Sequence, residues 1–257
     1  MSAYWLERQH IWEWLALGNF LVGGAGGGLY VVAVLTGSAD GLLSLAAAGL
    51  VVAGLVFVGV EAGNPVKAYH VFRNFRQSWM SREAVFATGF VLLAGLDFMW
   101  PNVLLKWLAW FCAASYVVSQ GFMLAAAKKI PSWNTPLTPP LFIVLSLSAG
   151  LGITAVLYKT QNTIAPMLLG LLTIVLAASY AAWPGATKYF KQSLMAERNW
   201  VFLLFSMVIA AVAVASSQTS IFLAGVMLLL SSSLFKYVII IRMSYKLPVL
   251  PPIGRTA

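Results

Sequence analysis

The 257-residue chain is 61% hydrophobic and only 9% charged, with a formal net charge of +9. Soluble domains have about 25% charged residues. A chain with so few charged residues has too little polar surface to cover its apolar side chains in water. The composition therefore excludes a soluble domain and predicts a polytopic integral membrane protein embedded in a lipid bilayer.

Eight segments are long and apolar enough for a membrane-spanning helix, which needs about 20 residues. In chain order they are residues 14–36, 41–60, 84–100, 103–127, 141–158, 164–183, 200–217 and 220–241. The turn signal Trp100-Pro101-Asn102 separates the third from the fourth. The N-terminal segment has no small-residue cleavage site, so we expect it to be retained. We predict an all-α integral membrane protein with eight transmembrane helices.

The basic residues of the loops fall almost entirely on one side of these eight spans. That side holds Arg8, Lys67, Arg73, Arg76, Arg82, Lys128, Lys129, Lys188, Lys191, Arg198, Arg242, Lys246 and Arg255. The loops of the other side hold only Lys159, while Lys106 and Lys236 lie inside spans. Basic loops stay in the cytoplasm, so we predict that both termini are cytoplasmic. The topology accounts for most of the net charge, and no nucleic-acid partner is expected.

A short segment recurs in the two most basic loops. Phe75–Glu83 and Phe190–Arg198 share four of nine aligned positions, and each follows the second span of its half. This placement favours a parallel repeat of two four-helix units. The prediction is a single membrane domain, 1–257, with halves 1–130 and 131–257. Glu83 aligns with Arg198, so the two loops are not chemically equivalent.

Residues 61–83 carry the densest group of reactive side chains. Glu61 ends the second span and Glu83 opens the third, and Asn64 can cap a helix that begins at Pro65. Apolar and aromatic residues recur every third position through Phe75, which is typical of a helix lying in the membrane interface. A quinone needs an apolar slot, hydrogen-bond donors and proton-exchanging groups. The segment offers all three and predicts a quinone site.

A structural interpretation of the same residues stays open. Glu83 near a helix N-terminus complements the helix dipole by about 0.3–1 kcal/mol without any ligand. Glu61 at a helix C-terminus opposes the dipole, and a salt bridge with Lys67 or Arg82 would stabilise it. His70 alone is typical of a solvated interfacial residue.

The chain has few metal ligands. Cys112 is its one cysteine, and its two histidines are His10, before the first span, and His70, in a basic loop. These numbers exclude a disulfide framework, a thiolate zinc site or an iron–sulfur cluster held by this chain alone. Two histidines so placed do not form a bis-histidine haem site. We expect no haem, metal or cluster in this chain.

Two further features, the glycines of the first span and Asp97, have structural explanations as well as functional ones. Gly23, Gly24, Gly27 and Gly28 form small-xxx-small pairs that predict close helix packing in the first span. Asp97, near the far end of the third span, fits either a proton path or a carboxylate facing the membrane interface.

The segment Ser78-Trp79-Met80-Ser81-Arg82-Glu83 resembles the second loop of the membrane anchors of dimethyl-sulfoxide-reductase-type molybdopterin oxidoreductases. The segment 131–139, Pro-Ser-Trp-Asn-Thr-Pro-Leu-Thr-Pro, is similar to the loop after the fourth span of that family, and the length and helix number agree. The family is related to the anchors of nitrite and polysulfide reductases. It often has a histidine where this chain has Glu61.

The resemblance implies a site for menaquinone or ubiquinone with Glu83 as its proton-exchanging, catalytic residue. The implied quinone-binding residues are Glu61, Asn64, His70, Arg76, Trp79, Arg82 and Glu83. It also implies two partners, an iron–sulfur (ferredoxin-like) subunit and a molybdopterin catalytic subunit, placed on the cytoplasmic face by the charge pattern. The expected location is a prokaryotic cytoplasmic (inner) membrane. A secondary transporter or channel and a purely structural anchor are the alternatives.

Overall fold

The computed structural model describes residues 7–9, 13–61, 65–158 and 163–247. These residues are mostly helical, and an isolated β-bridge pairs Arg8 with Tyr245. The helices are α1 (Trp14–Leu35), α2 (Gly41–Glu61), α3 (Trp79–Met99), α4 (Val103–Ala125), α5 (Thr138–Tyr158), α6 (Ile164–Ala181), α7 (Lys188–Met195), α8 (Asn199–Ser216) and α9 (Ile221–Tyr237). A π-helical turn, Val238–Arg242, continues α9.

Each apolar segment of the sequence forms a helix close to its predicted bounds. Within the described part of the chain, 7 helices are long and apolar enough to cross a membrane. Of the eight predicted spans, α3 is the one that is not among these 7 helices. It begins at Trp79 instead of residue 84 and therefore includes Arg82 and Glu83. The predicted break after it is confirmed, since the Asn102 side chain accepts a hydrogen bond from Leu104 N–H at the start of α4. The chain is a multi-pass membrane protein.

The segment before α3 forms a 3₁₀ helix, Pro65–Asn74. It starts at the predicted proline, and the recurrence of apolar and aromatic residues at every third position matches the three residues per turn of a 3₁₀ helix. Phe72 and Phe75 are exposed on or just after it. An exposed aromatic pair next to the end of a span suits the membrane interface.

The helices form two groups with the same order of neighbours. In the first half, α1 packs on α2, α2 on α3, α3 on α4, and α4 back on α1. In the second half, α5, α6, α8 and α9 pack in the same cyclic order. One apolar core lies within the first half, and a second joins Leu17, Phe20 and Leu124 of α1 and α4 to the second half. The halves also meet where α5 contacts α1 and α4. Large apolar side chains such as Leu92, Leu104 and Phe205 are exposed on the outside, as lipid contact requires.

Glycines allow α1 and α5 to approach closely between the halves. A Cβ atom on Gly28 would overlap the Ser146 carbonyl group, and one on Gly150 would overlap the backbone of Gly28. Gly23 and Gly54 make a similar contact between α1 and α2. The close packing predicted from the small residues of the first span is confirmed.

The two ends of the described chain lie together. Gln9 N–H donates to the Ser244 carbonyl oxygen at 2.9 Å, and Lys246 N–H donates to that of Glu7 at 2.8 Å. Leu247 N–H donates to the Lys129 carbonyl oxygen at 2.9 Å, which adds the loop after α4 to the same face.

Candidate functional site

Glu83 is a carboxylate buried inside the helix bundle. It lies one turn into α3, is 2% exposed, and faces α1 and α4. Its Oε1 atom accepts hydrogen bonds from Asn19 Nδ2 at 2.8 Å and from Gln120 Nε2 at 3.1 Å. An acid in a membrane-spanning bundle faces the interior and needs polar partners, because hydrocarbon offers none. Two side-chain amides supply them here.

Asn19 reaches Glu83 from a π-helical turn in α1. The turn spans Asn19–Gly23 and interrupts the α-helical hydrogen bonding of this span. Turns of this kind are rare and occur frequently at functional sites. Asn19 is also held from α4, where the Tyr116 hydroxyl donates to its Oδ1 atom at 3.2 Å.

Tyr116 and Gln120 lie one turn apart on the face of α4 that meets α1. Gln120 Nε2 donates to the Tyr116 hydroxyl at 2.9 Å as well as to Glu83. Both side chains are fully buried. The Gln120 Oε1 atom is buried and has no hydrogen-bond partner within the described residues. Such an atom costs about 1–3 kcal/mol, so its persistence here calls for a reason.

Lys236 extends this group of polar side chains into the second half. It lies in α9, is 1% exposed, and donates to the Phe20 carbonyl oxygen at 2.7 Å and to Ser146 Oγ at 3.0 Å. Phe20 belongs to the π-helical turn, next to Asn19. We call Asn19, Glu83, Tyr116, Gln120, Ser146 and Lys236 the polar cluster.

A small, mainly apolar pocket lies beside the carboxylate. It is lined by Ala16, Asn19, Phe20, Val58, Met80, Glu83 and Met123. The cavity is about 20 Å³, enough for one water molecule. The side chain of Met80 is partly exposed and that of Met123 is buried. The pocket is therefore placed between the outside of the bundle and Glu83.

The structure brings together Trp79 and Arg82 of the predicted quinone site, and Arg82 is engaged with the loop instead of with Glu83. The Arg82 guanidinium donates to the carbonyl oxygens of Phe75 at 3.1 Å and Arg76 at 2.7 Å. It also lies 4.2 Å from the centre of the Trp79 ring, which stacks on Phe122. These contacts fold the loop against the start of α3.

The remaining predicted residues lie in or near the loop. His70 and Arg76 are exposed, and neither is among the hydrogen-bond partners of Glu83 described above. Glu61 is the last residue of α2. The side chain of Glu61 and all of Asn64 lie outside the described residues, and so do both predicted salt bridges of Glu61.

The position of Glu83 disagrees with its interpretation as a helix-dipole residue. The first turn of α3 contains no acidic residue, and the stabilising effect of the dipole falls off within that turn. The side-chain amides of α1 and α4 stabilise the carboxylate instead.

Several members of the polar cluster were not predicted from the sequence. Asn19 is a lone amide in an apolar span, and Tyr116 and Gln120 have the i, i+4 spacing of one helix face. Lys236 was located inside a span but not connected to Glu83. A systematic search for polar residues within the apolar segments would have found all four, although not their pairing.

Within the described part of the chain, no three His, Cys, Asp or Glu side chains are grouped closely enough to hold a metal ion. No known protein-family model matches the sequence, and no curated protein is similar enough to identify a relative.

Proposed function

We propose that this chain is the quinone-reactive membrane anchor of a multisubunit molybdenum- or tungsten-pterin oxidoreductase. In this function it exchanges electrons between the quinone pool and a docked iron–sulfur subunit, while the substrate reacts in the catalytic partner. The observation that carries the proposal is the buried Glu83 carboxylate beside an apolar pocket. The resemblance of residues 78–83 to the family's quinone loop supports it.

The chemistry needs a proton-exchanging group at this position. Reduction of a quinone to a quinol consumes two electrons and two protons. The electrons come from the cluster of the partner subunit, and Glu83 exchanges the protons at its carboxylate oxygens. The Asn19 and Gln120 amides hold one oxygen in place at 2.8 and 3.1 Å. The opposite reaction uses the same carboxylate as the proton acceptor.

The pocket must widen before a quinone ring can contact the carboxylate. Its 20 Å³ cavity holds a water molecule and no more. Two of its lining residues are methionines, Met80 and Met123. Methionine side chains are unbranched and adapt their shape readily. In the proposed function, their rearrangement opens the pocket to the quinone ring.

The test is the Glu83→Gln variant of the intact complex. Glutamine keeps the shape but cannot carry a proton, so quinone-coupled turnover should fall by about 10²–10⁴-fold, the range for a lost general acid or base. Assembly, and activity with a soluble artificial dye, should remain. The matched control is Asp97→Asn at the other end of α3, another buried acid whose Oδ1 atom accepts from Asn102 N–H.

Two outcomes would overturn the proposal. Normal quinone turnover in Glu83→Gln would remove its proton-exchange role, and a joint loss of assembly and dye activity would make the carboxylate structural. Glu197→Gln, between α7 and α8, should affect quinone turnover much less. This substitution should instead weaken the contacts of Glu197 with Arg8 and Arg242.

We propose that the chain crosses the membrane eight times and that α3 is one of the eight spans, in addition to the 7 more apolar helices. Helix α3 has 21 residues and packs between α2 and α4. The ends of the described chain are hydrogen-bonded to each other on one face, which requires an even number of crossings. The 7 more apolar helices alone would give an odd number.

We propose that this shared face is cytoplasmic, with both termini on it, and that the iron–sulfur and catalytic partners dock there. The positive charges of the loops support this orientation. The parallel repeat of two four-helix units belongs to the same proposal, and the identical neighbour order of the two halves supports it. Each half contains one π-helical turn, and the buried Glu83 distinguishes the first half.

A proton-coupled secondary transporter is the second candidate. The π-helical interruption of α1 and the buried Lys236 favour it, because transporters place charged groups at interrupted helices inside the membrane. Two measurements distinguish the functions. Quinol-dependent reduction of a co-purifying iron–sulfur subunit supports the anchor, whereas proton-driven solute uptake by the chain alone in liposomes supports the transporter.

A further inference from the structure

Glu83 and Lys236 are the acid and the base buried deepest among the described charged side chains. They are 2% and 1% exposed. Removing a charge from water costs several kcal/mol in a protein, and an opposite charge nearby offsets part of that cost. The two residues lie in different halves of the molecule, but both contact the π-helical turn of α1, through Asn19 and Phe20 respectively.

Gln120 connects the two charges. Its Nε2 atom donates to the Glu83 carboxylate at 3.1 Å. Its Oε1 atom is the buried acceptor that lacks a partner in the described part of the protein. A Cβ atom on Gly24 would lie 2.8 Å from both this Oε1 atom and Lys236 Nζ. The orphan acceptor and the ammonium group are therefore within about two hydrogen-bond lengths of each other.

The ammonium group has hydrogen-bonding capacity to meet that acceptor. Lysine carries three N–H donors, and the Phe20 carbonyl oxygen and Ser146 Oγ accept two of them. That leaves one N–H donor for Gln120 Oε1. The glycine at position 24 is what allows the ammonium group to approach this atom, because any side chain there would occupy the space between the two groups.

We propose that Lys236 is the counter-charge of Glu83, and that the two groups are linked electrostatically through Gln120. In the charged state, Glu83 is a carboxylate and Lys236 an ammonium group. When Lys236 releases a proton to water and Glu83 takes one up from water, the pair becomes a neutral amine and a neutral acid with the same total charge. Tyr116 is the other titratable group of the polar cluster. Lys236 is a positioning residue that sets how readily Glu83 takes up or releases a proton.

Infrared spectroscopy of the purified full-length protein in lipid nanodiscs tests the pair directly. Glutamate labelled with ¹³C identifies the C=O band of a protonated glutamic acid, and the loss of such a band on adding Glu83→Gln assigns it to Glu83. At neutral pH we expect no such band from Glu83 in the unmodified protein. Lys236→Met removes the counter-charge, so a band should appear that is absent in the Lys236→Met, Glu83→Gln double variant. Lys106→Met is the matched control, since Lys106 is also in a span but only partly buried.

Melting temperatures give an independent readout. Removing one member of a buried pair destabilises strongly, whereas replacing both is often close to neutral. The double variant should therefore melt above Lys236→Met alone. If Lys236→Met does not accumulate in the membrane, accumulation of the double variant supports the pair equally well.

Three results would overturn the inference: an unchanged infrared spectrum in Lys236→Met, additive losses of melting temperature, or a double variant that accumulates no better than the single one. None of these results depends on quinone. A failure of the charge pair is thus distinguishable from a failure of the proposed function, which Glu83→Gln turnover tests separately.

Discussion

At the scale of single residues, the environment of Glu83 depends on neutral hydrogen-bond donors from two neighbouring helices. Asn19 and Gln120 are amides, which donate to a carboxylate or to its protonated form without a charge of their own. An arginine in their place would fix the carboxylate in its ionised form. The nearest predicted arginine, Arg82, is instead engaged with the loop carbonyl groups. This arrangement keeps Glu83 able to take up and release a proton.

The Tyr116 hydroxyl should matter for both stability and turnover. Tyr116→Phe removes the donor to Asn19 Oδ1 and an acceptor for Gln120 Nε2, leaving buried polar atoms unpaired. We expect a loss of about 1–3 kcal/mol in unfolding free energy, measured by denaturation. Quinone-coupled turnover should also fall, because the amides that hold Glu83 lose their support.

Tyr180→Phe is the matched control for that variant. The Tyr180 hydroxyl is equally buried and donates to the Ser132 carbonyl oxygen at 2.7 Å, away from Glu83. It should lose similar stability with unchanged turnover per assembled complex. Equal turnover losses in the two tyrosine variants would show that Tyr116 acts through general stability alone.

Another group of residues joins the chain ends. Glu197 accepts from Arg8 at 2.6 Å and lies 3.4 Å from Arg242. Glu197 and Arg198 both have positive φ angles, 48° and 57°, which cost energy for residues with a side chain. Burial lowers the pKa of Arg8, but hydrogen bonds with Tyr245 and Glu197 raise it more, so it stays above its usual value. The guanidinium therefore remains charged and helps hold this strained turn.

At the scale of helices, the α1–α5 contact between the halves depends on glycine. Gly28→Ala would place a methyl group on the Ser146 carbonyl group, which belongs to the backbone and cannot rotate away. Overpacking of this kind costs about 1–3 kcal/mol. We expect a lower melting temperature of the purified protein, with the halves separated slightly.

Gly49→Ala in α2 is the control, because a Cβ atom there meets nothing within 4 Å. Alanine favours a helix over glycine by about 1 kcal/mol, so this variant should be neutral or slightly more stable. A Gly28→Ala protein as stable as Gly49→Ala would mean that the contact between the halves is looser than the structure indicates.

The helices themselves could be predicted from the sequence because lipid imposes a simple length and hydropathy requirement. The interruption of α1 could not, since a π-helical turn at Asn19–Gly23 has no strong local signal. The start of α3 at Trp79 was also missed, because Arg82 and Glu83 lower the hydropathy there. Their placement in a helix results from packing on α2 and α4.

At the scale of the whole molecule, the candidate site is assembled from distant parts of the chain. The Glu83 carboxylate was predicted as the central residue, and the structure buries it among polar groups. The other members of the polar cluster come from α1, α4, α5 and α9, and Lys236 is 216 positions from the Phe20 carbonyl group that it contacts. A hydropathy pattern specifies which segments cross the membrane but not which faces meet. The sequence therefore predicts a site made of loop residues close to Glu83 in the chain, and it does not indicate the spatial partners Asn19 and Gln120.

Reporter fusions along the chain test the number and direction of the membrane crossings. Reporter fusions at the C-terminus should be active in the cytoplasm. Fusions in the turn 100–102 and in the loop 159–163 should be active on the opposite side, because α3 crosses and the basic loops remain inside. The turn 100–102 is the decisive position, since it lies on the far side only if α3 spans the bilayer. A cytoplasmic reporter there would reduce the number of crossings and contradict eight spans. A C-terminal reporter active only outside would reverse the orientation and place the docking face for the iron–sulfur partner on the other side of the membrane.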